Sequence, residues 1–186
     1  MKHFNLRLLP AALIGVAAMI TACNSNDDDA TWDTYAEWRE TNTSFYEQQK
    51  FAMTPDGENE YTTLTPSWNN SGEILIKYLN DRRLTEGNLS PLYNSQVQVK
   101  YIGRYYNGVA FDSSYTRVDS LWDTNVAEVI SGWQVALQYM RVGDSASIVV
   151  PYWMGYGSST SSGIYPYSTL MFDIKLVDIL DYQDRP

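Results

Sequence analysis

The chain has almost no histidine and almost no cysteine. Its one His is His3 and its one Cys is Cys23, both within the first 23 of 186 residues. The body of the chain therefore has no imidazole and no thiol. That excludes a Ser-His-Asp triad, a Cys-His pair, His-containing zinc sites and disulfides. Basic residues are also scarce: 13 Lys and Arg face 22 Asp and Glu, for a net charge of −9. Phosphate backbones are bound by clustered Lys and Arg, so a nucleic-acid partner is not expected. Nothing in this composition implies a metal or an organic cofactor. The chain is rich in aromatic residues instead, with 15 Tyr and 6 Trp. Such residues build a core, or line an apolar site. Chemistry here has to come from carboxylates, hydroxyls, backbone groups or the shape of a pocket.

The longest apolar run, residues 8–22, has 15 residues and follows Lys2, His3 and Arg7. A membrane span needs roughly 20. A basic start and a short apolar core read instead as a signal peptide over 1–22. The run closes with Ile20-Thr21-Ala22-Cys23, which resembles the lipobox of bacterial lipoproteins. That resemblance makes Cys23 the first mature residue and the carrier of lipid. Acyl chains partition at about 0.8 kcal/mol per buried CH₂, so several on one residue hold a domain at a membrane. Residues 23–30, with Asp27-Asp28-Asp29, read as an acidic tether. An alternative is a sorting signal, since such runs resemble surface-export signals of some Gram-negative lipoproteins. The expected location is the bacterial cell envelope, lipid-anchored and at the outer membrane, on its periplasmic face or the cell surface.

Residues 31–72 read as a helical and loop extension. Trp32, Tyr35 and Trp38 recur at threes, as on one helix face. Thr41 to Ser44 break the pattern, and a second short helix is expected over Phe45 to Phe51. Pro55, Gly57, Pro66 and Gly72 mark loop, with a short strand expected at Tyr61 to Leu64. A stalk, a dimer contact and a cap on the sheet all stay open as roles for this extension.

From residue 73 the period becomes two. Ile74, Ile76 and Tyr78 alternate with Leu75, Lys77 and Leu79, and Val97, Val99 and Tyr101 alternate with Gln98 and Lys100. Asn107-Gly108 between apolar runs signals a hairpin. Trp133, Ala136, Leu137 and Met140 form one helical stripe, with Ser131 as the expected cap and Gly143 past the end. Ala146, Ile148 and Val150 form a strand. Leu170, Phe172, Ile174 and Leu176 line one face of the last, after a long Gly-, Ser- and Tyr-rich loop from Tyr152 to Ser168. The expected architecture is α+β: an antiparallel sheet over residues 73–180 with one helix before its last two strands, and a tail at 181–186.

The order of these pieces resembles the FKBP-type peptidyl-prolyl isomerase family over about residues 73–180. Val99-Lys100-Tyr101-Ile102-Gly103 is similar to its V-x-Y-x-G strand, and Asn107 to Ser114 (NGVAFDSS) to its hairpin. Glu128-Val129-Ile130-Ser131-Gly132-Trp133, Met140-Arg141-Val142-Gly143, Tyr156-Gly157 with Ile164-Tyr165-Pro166, and Leu170-Met171-Phe172-Asp173 follow in family order. The resemblance implies an FKBP-like sheet wrapped on a short helix, no cofactor, and proline-containing polypeptides as substrates. It implies a pocket of Tyr101, Phe111, Asp112, Val129, Ile130, Trp133, Tyr156 and Phe172. Trp133 would form the floor, with the Ile130 N–H and the Tyr156 hydroxyl bonding ligand carbonyls. Arg117, Leu121, Ile164 and Tyr165 would form a rim. Leu121 stands where the family has a second pocket Phe, with Trp122 beside it, and Tyr165 replaces a rim Pro. The alternative is a binding or chaperone module on the same fold with weak turnover or none.

Overall fold

A computed structural model describes residues 31–70, 72–160 and 163–181. The signal-peptide reading, the lipidated Cys23, the acidic tether up to Ala30 and the tail beyond Asp181 lie outside the described residues. The described residues form seven strands: β1 (Thr62–Leu64), β2 (Ile74–Tyr78), β3 (Gln96–Tyr105), β4 (Ala110–Ser113), β5 (Trp122–Asn125), β6 (Ser145–Val150) and β7 (Leu170–Ile179). Helix α1 spans Ala36–Lys50 and helix α2 spans Ser131–Tyr139. The strands join in the order β1-β2-β6-β7-β3-β4, with β5 also paired to β3, and every pairing is antiparallel. The expected α+β sheet with one helix ahead of its last two strands is what the chain adopts. No described helix is long and apolar enough to cross a membrane.

The period-two pattern decides which side of the sheet is dry. Val97, Val99 and Tyr101 of β3, Ile148 and Val150 of β6, and Leu170, Phe172, Ile174 and Leu176 of β7 all point to one face. There they meet Trp133, Ala136, Leu137 and Met140 of α2 in the main core. Gly132 brings the helix close to β6: a methyl at this position would sit 2.5 Å from Val150 Cγ1. The helix starts at Ser131, so Ser131 is its first residue and not its cap. Ile130 takes the cap position and makes no side-chain bond there. The reason is local: Ile130 keeps extended backbone (φ −56°, ψ 149°) while its carbonyl accepts from the Trp133 and Gln134 N–H groups. The Asn107-Gly108 hairpin forms between β3 and β4. Only Gly108 takes positive φ (83°); Gly108 N–H donates to the Tyr105 carbonyl, and Tyr105 N–H to that of Val109.

Helix α1 covers the other face. Tyr46 is fully buried against Leu75 and Val149, the outward residues of β2 and β6, with Phe45, Tyr61 and Met171 around them. The sheet therefore carries a helix on each side. The expected break at Thr41 to Ser44 does not occur. Asn42 stays helical because its side chain is satisfied in place: Nδ2 donates to the Trp38 carbonyl (2.8 Å), and Oδ1 accepts the Thr169 N–H (2.8 Å). Thr41 Oγ1 likewise donates back to the Glu37 carbonyl.

Candidate functional site

The pocket opens where the strand pattern leaves a gap. In β3 the inward positions run Val97, Val99, Tyr101, Gly103, and the last has no side chain. Phe111 of β4 and Phe172 of β7 close over that space, with ring centroids 5.7 Å apart and edge-to-face. Trp133, at the first turn of α2, meets Phe172 at 5.3 Å and Tyr101 at 5.2 Å, both edge-on. Trp133 is 2% exposed, and burying a ring this size stabilises by about 3 kcal/mol. The cavity above it holds about 160 Å³. A space of ~150 Å³ accommodates a benzene-sized ring, so one small ring fits.

Tyr101, Phe111, Asp112, Val129, Ile130, Trp133, Tyr156 and Phe172 all line this cavity. The sequence therefore places all eight expected pocket residues together. The four residues expected at the rim are not among the lining residues. Leu121 precedes β5 and is outside the lining; Trp122, the first residue of β5, stands beside Tyr101 (5.3 Å) and Trp133 (5.8 Å). Trp122 supplies the wall that the motif alignment gave to Leu121. Ile164 is 4% exposed and packs in the core. Tyr165 turns away to Trp38 of α1, 5.4 Å between rings. Arg117 is exposed and outside the lining. Glu128 lines the cavity and was missed; its place in the E-V-I-x-G-W motif, next to Val129, was the available signal.

The polar groups are few and fixed. The Tyr101 hydroxyl donates to Asp112 Oδ2 at 2.6 Å, and Ser113 N–H donates to Asp112 Oδ1 at 2.7 Å. Burial first, then this bond to Asp112, pushes the Tyr101 hydroxyl well above its ordinary pKa. It is a locked donor and not an acid. The Tyr156 hydroxyl is also raised, by burial and then by the charge of Asp112. Two donors on lining residues have no partner among the described residues: the Tyr156 hydroxyl and the Ile130 N–H, which precedes the first turn of α2. Helix starts leave such N–H groups unpaired. Tyr156 is set by the loop around it, since Gly157 N–H donates to the Tyr152 carbonyl (2.9 Å) and Tyr167 N–H to that of Gly157 (2.8 Å). No group of three or more His, Cys, Asp or Glu among the described residues is arranged to hold a metal. The arrangement is an aromatic cup with two free donors. It suits the binding of a carbonyl-flanked apolar ring.

Residues 88–177 match the family model described as FKBP-type peptidyl-prolyl cis-trans isomerase. The chain is 41% identical over 97 residues to macrophage infectivity potentiator of Trypanosoma cruzi, covering 51% of this chain and 48% of that one. It is 38% identical over 104 residues to the FKBP-type peptidyl-prolyl cis-trans isomerase FkpA of Buchnera aphidicola, covering 56% and 40%. The chain thus spans less than half the length of either relative. A crystal structure of a peptidyl-prolyl cis-trans isomerase from Pseudomonas syringae overlays with a TM-score of 0.61. It has 27% identity and covers 78% of this chain and 95% of that one.

Proposed function

We propose that the cup accelerates rotation about X-Pro bonds in polypeptides, a reading supported by the match of residues 88–177 to the FKBP-type peptidyl-prolyl cis-trans isomerase family model. The observation that carries this reading is the enclosure of one ring-sized space by Tyr101, Phe111, Trp122, Trp133 and Phe172, with the Ile130 N–H and Tyr156 hydroxyl left free at its edge. Rotation faces a barrier of about 18–20 kcal/mol that comes from C–N double-bond character. It needs no nucleophile, proton acceptor or metal. The planar amide is more charge-separated than the twisted one. Moving it out of water costs more for the planar form, so an apolar wall lowers the barrier. A cup shaped to the twisted amide adds stabilisation present only in the transition state. The free donors hold the carbonyls of the flanking peptide while the bond turns. Asp112 serves by fixing the Tyr101 ring.

The proposal extends to the N-terminus. Residues 1–22 act as a lipoprotein signal peptide, Cys23 carries lipid, and residues 23–30 tether the domain to the outer membrane of a bacterial envelope. Clients there are proline-containing envelope polypeptides in the course of folding.

The test is cis-trans exchange of Xaa-Pro peptides, measured by NMR with the purified full chain. Acceleration that disappears in Phe172→Ala and Asp112→Val supports the isomerase. Peptide-induced shifts at the Trp133 indole with no acceleration would replace it by the binding module. Neither would remove this pocket from the function.

A further inference from the structure

The connection from β6 to β7 carries Tyr156 near its start and returns to the sheet through residues 163–169. Helix α1 grips that return. Trp38 Nε1 donates to Ser168 Oγ (3.1 Å), which donates in turn to the Tyr165 carbonyl (2.7 Å). One turn on, Asn42 is fully buried: its Oδ1 accepts the Thr169 N–H (2.8 Å), and its carbonyl accepts the Thr169 hydroxyl (2.9 Å). These pairs are separated by about 130 residues in sequence. Tyr167 sits between them with φ +59°, a region that costs a bulky side chain about 1–3 kcal/mol and persists only where the surroundings impose it. The surroundings are again α1 and the turn before it. Trp32 meets the Tyr167 ring edge-on at 5.6 Å, and the Arg39 guanidinium lies 3.2 Å from the Trp32 ring centroid and 5.3 Å from that of Tyr167.

The same helix also reaches the hairpin that carries Phe111. The Trp38 ring stands 6.0 Å from Tyr105, Tyr105 stands 5.1 Å from Phe111, and Phe111 is a pocket wall. Trp38 also touches Tyr106, in the β3–β4 turn, at 5.3 Å. One indole thus contacts both the returning loop and the hairpin that presents Phe111.

We infer that α1 is a positioning element of the pocket, and that Trp38 is the positioning residue that sets the distance between Phe111 and the loop at 163–169. Through the placement of Phe111, α1 is also a determinant of which residue before proline is accepted. This inference rests on the isomerase reading for its kinetic readout. Its structural readout does not depend on that reading.

The experiment compares the full chain with Trp38→Ala, Trp38→Phe and Asn42→Ala, well below their melting temperatures. The readouts are kcat and KM over a series of Xaa-Pro peptides, and amide exchange at Tyr167 and Thr169. Trp38→Ala is expected to raise KM about tenfold with kcat within threefold, to compress the spread among preceding residues, and to speed exchange at both amides. Trp38→Phe keeps the ring contact with Tyr105 and is expected to restore most of KM. Ser168→Ala removes the same hydrogen bond from the loop side and serves if Trp38→Ala does not fold; a KM rise of about threefold is expected. A variant that melts earlier but keeps wild-type KM and peptide preference would overturn the inference. If the wild-type chain accelerates nothing, the isomerase reading fails by itself. The inference is then decided by peptide affinity read at the Trp133 indole and by the two exchange rates, and unchanged values would overturn it.

Discussion

Gly103 gives the sharpest test of the pocket, because it lies beneath both phenylalanine walls. A methyl built on it would meet Phe111 Cζ at 2.7 Å, Phe111 Cε2 at 2.9 Å and Phe172 Cε1 at 2.9 Å, where ordinary contacts lie at 3.4–4 Å. Gly103 is not among the positive-φ glycines, so Ala carries no backbone penalty. Its smaller unfolded-state entropy contributes about 0.4–1 kcal/mol in favour of folding. Against this, overpacking a filled site costs about 1–3 kcal/mol. The two effects leave Gly103→Ala about 1–2 kcal/mol less stable, a fall of a few degrees in Tm. Turnover should suffer far more. Both rings must withdraw by roughly half an ångström or more, and a wall misplaced by about 1 Å costs up to ~100-fold in rate. The expected outcome is a folded protein with kcat/KM reduced between about ten- and a hundredfold. NMR exchange on an Xaa-Pro peptide and a circular-dichroism melt measure the two quantities on one sample. A folded Gly103→Ala protein with kcat/KM within twofold of wild type would refute the claim that Phe111 and Phe172 shape the reacting space.

Three further outcomes follow from the same geometry. Trp122→Ala should lower kcat/KM by about tenfold or more, and Leu121→Ala should leave it within twofold, because only Trp122 lines the cavity; equal effects in peptide exchange assays would contradict the β5 register. The Tyr101 hydroxyl is held above its ordinary pKa by burial and by Asp112, so its stabilisation is fully present below about pH 10 and lost as pH rises through the higher folded value. Thermal melts between about pH 9 and 12 should therefore fall more steeply for wild type than for Tyr101→Phe. Asp144 is fully buried. Burial pushes its carboxyl up, but Thr85, the Arg141 N–H, Asn80 and the Arg82 charge together hold it below the usual carboxylate range. Its stabilisation is present above about pH 4 and lost as pH falls through the lower folded value; Asp144→Asn should cost about 1–3 kcal/mol at pH 7 in urea unfolding and flatten the acid limb.

The sheet was legible because its signal is local. Alternation in β3, β6 and β7 states both the strand and the face that is buried, and the stripe on α2 states where the helix sits. The pocket was legible for a related reason: the motifs that carry the family resemblance are short, local stretches, and the pocket residues lie in them. Leu121 and Trp122 mark the limit. A motif read by counting residues tolerates a slip of one, and in a strand a slip of one exchanges the inside for the outside. The four-residue strand β5 is too short to fix its own parity by pattern alone.

The N-terminal helix forms as expected, but its expected break does not, for a different physical reason. Thr41, Asn42, Thr43 and Ser44 are poor helix formers in isolation, since their side chains compete for backbone bonds. What keeps them helical is Thr169, 127 residues away from Asn42 in sequence. No window along the chain contains both partners. The same separation hid the contact of Tyr165, which the family resemblance placed at the pocket rim, with Trp38. Residues that line the cup were thus found from short motifs that resemble a family's. Residues that hold the loop beside it were not, because their partners lie on α1, about 130 residues away in sequence. A reader of related sequences would therefore identify the cup and overlook its support. Variation in such an extension would change substrate preference while every pocket residue stayed the same.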